Sequence, residues 1–526
     1  MKPITLIFLS LALCAWTTLW LAIPATAQNS LQLVWTGYGE DGNDYYGAGS
    51  CGGDFNNDGY SDVLIGAGGW GNVGGNGNIG KNYLYPGSPD FLDTASLYFM
   101  GDSAYDGYDW SNCNVGDVNA DQIEDFLIPA ASATWFGGAY VNIFFGGPEL
   151  DTIPDLRIQK YGTSYPNLDY FGASADSAGD VNSDGWSDFV VSGGDSGYFE
   201  IYYGGFALDT LPDWRYMVGG DVTFGVRGIS DINGDGFDDI LALGAPAMIF
   251  YGGDPMDTIP DLEFHPYLMS GAGIGDVNHD GFADIVLHKV VQYPDTTFTA
   301  VYFGGAEMDT IPDVLLQGVL GPNVSAEHIA SGDFNGDGIS DFICDEGILL
   351  TLYLGSPWFN GTPDWWFFEF YMYYGYALNC VGDVNGDGCD EILIGEYTYQ
   401  YPFNQGMVRL FAGNDTLTDL GADVEPEELV RFPGWFKLDQ NYPNPFNGST
   451  SIHFELGKPS DVNLKIYDIR GNGIKQLIAN KAMIPGGYNV SWAGKNEQNQ
   501  EVSAAIYLLE LQVDQYRQIR KIALLR

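Results

Sequence analysis

Seven times along the chain, oxygen-bearing side chains recur at one spacing, Asp-x-Asn-x-Asp-Gly-x-x-Asp, in segments that align without gaps. These are GDFNNDGYSDVLIG from Gly53, GDVNADQIEDFLIP from Gly116, GDVNSDGWSDFVVS from Gly179, SDINGDGFDDILAL from Ser230, GDVNHDGFADIVLH from Gly275, GDFNGDGISDFICD from Gly332 and GDVNGDGCDEILIG from Gly382. Counted from the first aspartate, side-chain oxygens fall at positions 1, 3, 5 and 9, and a main-chain carbonyl is on offer at position 7. Glycine at position 6 permits the sharp turn. Hard cations that take about six to eight oxygen ligands want this arrangement.

The candidate calcium ligands are therefore Asp54, Asn56, Asp58, the Tyr60 carbonyl and Asp62 in the first loop, and Asp117, Asn119, Asp121, Ile123 and Asp125 in the second. The third offers Asp180, Asn182, Asp184, Trp186 and Asp188, the fourth Asp231, Asn233, Asp235, Phe237 and Asp239, and the fifth Asp276, Asn278, Asp280, Phe282 and Asp284. The sixth has Asp333, Asn335, Asp337, Ile339 and Asp341, and the seventh Asp383, Asn385, Asp387, Cys389 and Glu391. Up to seven structural Ca²⁺ ions are expected. An EF-hand opens with the same residues but needs flanking helices and a Glu at position 12, where the first loop has Ile65 in a buried-strand pattern. Metal-free Asx-turns are the other reading, although three carboxylates per loop would repel without a cation. Two loops depart from the pattern: Gln122 stands where glycine is expected, and Glu391 replaces the ninth-position Asp. These two are expected to release calcium first.

The first aspartates are 63, 63, 51, 45, 57 and 50 residues apart, which suits a unit of about four strands, as in a propeller blade. Each unit carries a second marker, a β-rich segment ending in glycine or a near equivalent: NYLYPG, NIFFGG, EIYYGG, MIFYGG, AVYFGG, TLYLGS and VRLFAG. A third marker is an aspartate-proline turn before another short strand, at Asp151, Asp209, Asp257, Asp309 and Gly361, with the looser DTASLYF at Asp93. After the seventh unit that strand is missing, and Leu31-Gln-Leu-Val-Trp-Thr before the first unit resembles it. The N-terminal strand is thus expected to complete the seventh blade and close the ring. An open array would leave its end faces unburied.

Composition limits the function. The 526 residues include 70 Asp+Glu against 20 Lys+Arg, a formal charge of −50, which argues against nucleic acid as a partner. With 15% aromatic residues the chain has the apolar surface for a core, so it is not a disordered acidic polymer. Seven Ca²⁺ would reduce the charge to −36, so much of the acidity is internal ligand chemistry. Residues 1–430 hold 8 of the basic and 62 of the acidic residues, whereas residues 431–526 hold 12 and 8, which sets a domain boundary near 430. The opening Met1-Lys2, the apolar run to Ile23 and Ala25-Thr26-Ala27 describe an export signal over residues 1–27. A retained membrane anchor is the alternative. Beyond Cys14 in that leader, five cysteines without CxxC spacing read as small buried hydrophobes with at least one unpaired thiol.

The aspartate segments resemble FG-GAP repeats, the calcium-bearing blades of the integrin-α type seven-bladed β-propeller. Phe171-Gly172, Phe224-Gly225 and Gly244-Ala245-Pro246 match the family's namesake residues. The resemblance implies calcium held for structure at the outer loop of each blade and ligand binding on a propeller face. Residues 28–415 are assigned to the propeller and 416–436 to an acidic linker.

Residues 437–526 change to short alternating strands: Ser451–Leu456, Val462–Tyr467, Ile474–Ile478, Tyr488–Trp492, Ala505–Leu511 and Ile519–Leu525. They argue a small Ig-like β-sandwich. LDQNYPNPFN from Leu438, YDIRG from Tyr467 and KIALL from Lys521 resemble the type A C-terminal sorting domain of the type IX secretion system. That implies the secretion machinery as a partner and a secreted or outer-surface location; an ordinary Ig-like adhesion module is the other reading.

The expected fold is all-β, a seven-bladed β-propeller with calcium loops followed by a small Ig-like β-sandwich. Neither HExxH, GxSxG nor a Walker loop occurs, and the histidines His265, His279, His288, His328 and His453 form no catalytic pattern. The expected function is a calcium-binding platform for an extracellular protein or glycan, such as an adhesion module, with no catalytic residue assigned. A secreted polysaccharide lyase or glycoside hydrolase is the alternative, because a carboxylate pair is hidden among so many acidic residues. Trp365-Trp-Phe-Phe368 and Tyr371-Met-Tyr-Tyr374 offer sugar-stacking platforms or packed blade interiors.

Overall fold

A computed structural model describes residues 31–417 and 436–525, apart from internal segments of which the longest are 72–77, 103–111, 132–138, 161–170, 218–224, 318–327, 369–376 and 397–404. The export signal, most of the acidic linker, His265, Phe224 and the Tyr371–Tyr374 stretch lie outside the described residues. Among the described residues every regular element is a β-strand. Among the described residues no helix is long and apolar enough to cross a membrane. The chain divides into two compact units that part close to Asp419.

In the first unit, seven four-stranded antiparallel sheets form the blades of a propeller. Blade one runs from the inside outward as Tyr46–Gly53, Asp62–Ala67, Lys81–Tyr85 and Leu97–Met100. Its second and third strands are buried along their whole length because neighbouring blades cover both faces. The outermost strand alternates, with Tyr98 and Met100 exposed and Phe99 buried. The other blades repeat the scheme. Their innermost strands Cys113–Gly116, Ala175–Gly179, Gly225–Gly228, Tyr267–Gly275, Ile329–Gly332 and Ala377–Cys380 follow one another in contact, and the last returns to Tyr46–Gly53. One apolar cluster fills each junction, as with Cys51, Phe55 and Leu64 against Phe126, Ile128 and Phe144 between blades one and two.

The seventh blade is composite. Its sheet runs Ala377–Cys380, Ile392–Glu396, Met407–Ala412 and then Gln32–Tyr38, whose pairs include Gln32 with Ala412 and Tyr38 with Met407. The strand expected from the sequence to close the ring is the one that does so. Leu31 enters the cluster between blades six and seven. Trp35 lies 5.1 Å from Tyr85 and 5.5 Å from Phe91, so the strand also grips blade one.

The second unit is a β-sandwich. A three-stranded sheet of Phe436–Leu438, Thr450–Leu456 and Gly486–Trp492 accompanies a five-stranded sheet of Phe446–Asn447, Tyr516–Leu525, Ala505–Val513, Ser460–Asp468 and Gly473–Met483. Their inner faces share a core that includes Ile452, Phe454, Leu464, Leu509 and Trp492. All six strands read from the sequence are present; Phe436–Leu438 and Phe446–Asn447 are too short to carry a periodic signal. The NYPNPF segment has a clear task. Buried Asn441 donates to Pro443 O at 3.1 Å and Thr450 Oγ1 at 2.8 Å, while Asn444 Oδ1 accepts from Ala523 N at 2.7 Å, pinning this segment to the final strand.

Candidate metal centre

Each candidate loop joins the innermost strand of a blade to the next, and all seven fold alike. The first-position carboxylate accepts the position 5 amide at 2.9–3.2 Å and the position 6 amide at 2.7–2.9 Å. The fifth-position carboxylate accepts the position 7 amide at 2.9–3.1 Å. These bonds wrap the backbone around the side chains, which requires a left-handed residue at position 6, with φ between +71° at Gln122 and +94° at Gly281.

Five sixth-position glycines besides Gly281 share that conformation, and a Cβ there would touch nothing within 4 Å. The burden on Gln122 is therefore backbone strain alone, on the order of 1 kcal/mol. Gln122→Gly is expected to stabilise the chain by about that amount in calcium and to tighten the second loop's cation, as read by denaturant melts and calcium titration. A loss of stability would refute the strain account.

The ninth carboxylate is the most buried of the candidate ligands, 0% exposed in six loops. In loops two to six it accepts the position 2 amide at 2.9–3.0 Å with one oxygen and a glycine amide of its own blade at 2.7–2.9 Å with the other. The longer Glu391 keeps the Val384 amide but takes Asn385 Nδ2 at 2.7 Å in place of the glycine. Burial, with the first and fifth aspartates adding to it, pushes these acids up to about 7 in Asp125 and about 8 in Asp188 and Glu391.

Among the described residues, no three Asp, Glu, His or Cys side chains already stand close enough to hold a metal ion. The donor set nevertheless fits a hard cation. It consists of oxygen atoms, and a carboxylate oxygen that accepts one amide has a lone pair left for an ion. Three of the proposed ligand atoms, Asn56 Oδ1, Asp62 Oδ2 and Asn119 Oδ1, are buried without any hydrogen-bond partner. Buried acceptors left unsatisfied are costly, and a bound cation would satisfy them.

Sequence reasoning missed what the loops do to one another. The position 2 carbonyl of every loop accepts an amide from the following blade: Gly147 to Phe55, Gly205 to Val118, Gly253 to Val181, Gly305 to Ile232, Ser356 to Val277, Asn414 to Phe334 and Ser88 to Val384, all at 2.7–2.9 Å. The circuit closes from blade seven back to blade one. Position 8 adds to it in three places, where Glu124, Asp238 and Asp390 accept the first-position amides of Asp54, Asp180 and Asp333 at 2.7–2.9 Å.

The position 8 side chain also explains the glycine that opens most loops. A Cβ on Gly179 would lie 2.1 Å from Asp238 Oδ2, and one on Gly116 2.3 Å from Ser187 Oγ. Only loop four opens with a larger residue, Ser230, and there the following blade has Ala283 at position 8. The available signal was the residue type at position 8, but its partner lies a whole repeat away.

Elsewhere, Cys51, Cys113, Cys344, Cys380 and Cys389 form no disulfide, all but Cys380 are buried, and burial raises the pKa of Cys389 to about 12. His288 is a core residue bonded through Nδ1 to Thr299 Oγ1 at 3.0 Å. Trp365 is partly buried against the cluster between blades six and seven, whereas Trp366 is 46% exposed.

Residues 46–81 match the family model of the FG-GAP repeat, and residues 440–524 that of the secretion system C-terminal sorting domain. Integrin alpha-IIb of Mus musculus is 29% identical over 160 residues, 29% of this chain and 15% of that protein. Integrin alpha-5 of Xenopus laevis is 28% identical over 185 residues, 34% of this chain and 16% of that protein. The matched region thus spans a small part of those relatives. Among solved structures, BBS1N in complex with ARL6DN, soaked with mercury, aligns with a TM-score of 0.47 and 10% identity over 73% of this chain and 98% of that one. The lead-soaked crystal gives 0.46 and 9% over 73% and 97%. The chain joins a propeller whose first blade matches the FG-GAP repeat to a C-terminal secretion sorting domain, which indicates export to the cell surface or secretion and engagement of the secretion machinery.

Proposed function

We propose that the exported chain is a calcium-stabilised binding platform, an adhesion-type module for an extracellular protein or glycan. In this reading residues 28–415 form the platform, 416–436 the linker and 437–526 the sorting domain. The observation that carries it is the circuit of loops. Their side-chain oxygens are of the kind a hard cation takes and their carbonyls tie blade to blade, so calcium would fix the shape of the ring and leave its surface for recognition.

The corners between the third and fourth strands lie at the same end of each blade as these loops. They expose Ile153 (70%), Leu211 (69%), Ile259 (69%), Phe206 (87%) and Trp358 (72%). Apolar side chains repeated at equivalent corners are surface that a partner would cover. The test is to apply the exported chain to glycan arrays and immobilised extracellular proteins in calcium and in EDTA. Calcium-dependent retention without turnover is expected. New reducing ends or unsaturated products from a polysaccharide would replace this reading with the hydrolase or lyase.

A further inference from the structure

The first loop differs from its six counterparts and borders a cavity. In loops two to seven the position 2 amide donates to the ninth carboxylate, but in loop one the Phe55 amide turns back to Gly53 O at 2.9 Å. Asp62, 0% exposed, is left with Oδ2 unpartnered. Asn56 shares the deficit: its Nδ2 is spent on Asp62 Oδ1 at 3.0 Å and its Oδ1 has no partner. Both residues line a cavity of about 280 Å³ between blades one and two, whose other walls include Leu84, Leu97, Pro148 and Leu150.

The cavity has a sequence cause. In blades two, three, four and six an aspartate at the outer corner, Asp155, Asp213, Asp261 or Asp364, accepts the amide that follows the third strand, at 2.8–2.9 Å. Blade one lacks both halves of that bond. Pro86 has no amide to give, and Ser96 replaces the acid. Both residues line the space so created.

We propose that this cleft is a calcium-dependent saccharide subsite for a single neutral sugar ring. The inference rests on the platform reading above. One end of the cleft holds the oxygen ligands proposed for the first cation, where adjacent sugar hydroxyls would complete the ion's shell. The remaining walls are largely apolar, matching the C–H face of a pyranose, and the volume is that of a small ligand. Charge selects a neutral ligand over a uronic acid: Asp54, Asp58 and Asp62 outweigh one divalent ion, and Glu124 lies beside the loop, bonded to the Asp54 amide.

The experiment titrates the exported chain with the methyl glycosides of mannose, galactose, glucose and fucose, by calorimetry and saturation-transfer NMR, in calcium and in EDTA. Ser96→Gln is the companion variant; Ser96 is exposed, so the substitution narrows the cleft without entering the core. At least one glycoside is expected to bind in calcium and not in EDTA, and to bind Ser96→Gln about tenfold more weakly or worse, with calcium-dependent melting unchanged. Absence of binding by all four, binding that persists in EDTA, or undiminished binding by Ser96→Gln would overturn the subsite alone. Melting of the parent chain that ignores calcium would instead overturn the platform reading beneath it.

Discussion

Deleting residues 28–37 is expected to unfold the propeller, or to lower its melting temperature far more than removal of ten surface residues would. The strand lost is the outer strand of blade seven, and its contacts are concentrated in two side chains. Leu31 is buried between blades six and seven, and Trp35 packs on Tyr85 and Phe91 of blade one. Large-to-small changes at such positions cost about 2–5 kcal/mol for Leu and about 3–5 for Trp, so losing both removes on the order of 5–10 kcal/mol. A domain's whole stability is about 5–15 kcal/mol. The deletion also uncovers Arg409, paired with Thr36 in the sheet, whose guanidinium is ion-paired with Glu396 in a buried position. Trp35→Ala tests the same clasp more gently, by about 3–5 kcal/mol. An unchanged melting temperature in the deletion would sink the closure account.

Calcium withdrawal is the second large effect. With calcium near ten times Kd, each filled site would add about 1.4 kcal/mol, so seven filled sites would give on the order of 10 kcal/mol as an upper bound. EDTA is therefore expected to lower the melting temperature by roughly 10 °C or more. The loss has a definite pH dependence. Without a cation, burial raises the ninth acid to about 7 in Asp62, Asp125 and Asp284 and to about 8 in Asp188, Asp239, Asp341 and Glu391. An acid with a raised folded pKa binds more protons folded than unfolded. Its contribution is fully present below the ordinary carboxylate value of about 4 and is lost as pH rises to the folded value. The gap between calcium and EDTA melts should widen from about pH 5 to about pH 8. A gap that stays constant or narrows would contradict the placement of these acids.

Much of this architecture was legible because repetition amplifies weak signals. One Asp-x-Asn-x-Asp segment says little, but seven in register with seven glycine-ended strands give blade number and loop position together. The closing strand was readable as a fourth strand missing after Phe411 and present at Leu31. What stayed hidden depends on pairs from different repeats. Gly179 is explained by Asp238, and Ser230 by Ala283, only when adjacent blades are stacked. The looser DTASLYF was visible in the text, but its meaning depended on Pro86 facing Ser96 across a corner. The short strands Phe436–Leu438 and Phe446–Asn447 are fixed by tertiary contacts, the latter by parallel pairing with Leu524 and Leu525.

The circuit of carbonyl-to-amide bonds from blade to blade bears on how fast the molecule comes apart. A linear stack of repeats frays from its ends, because a terminal repeat leaves after one interface is broken. In the ring each blade has two partners, and the same Val384-to-Ser88 bond that joins the last loop to the first blade removes the end from which fraying would start. The first opening event then has to break two junctions, each with its own apolar cluster, which raises the barrier to unfolding. A chain sent outside the cell meets proteases without chaperones to refold it, and its survival there is set by a half-life as much as by an equilibrium.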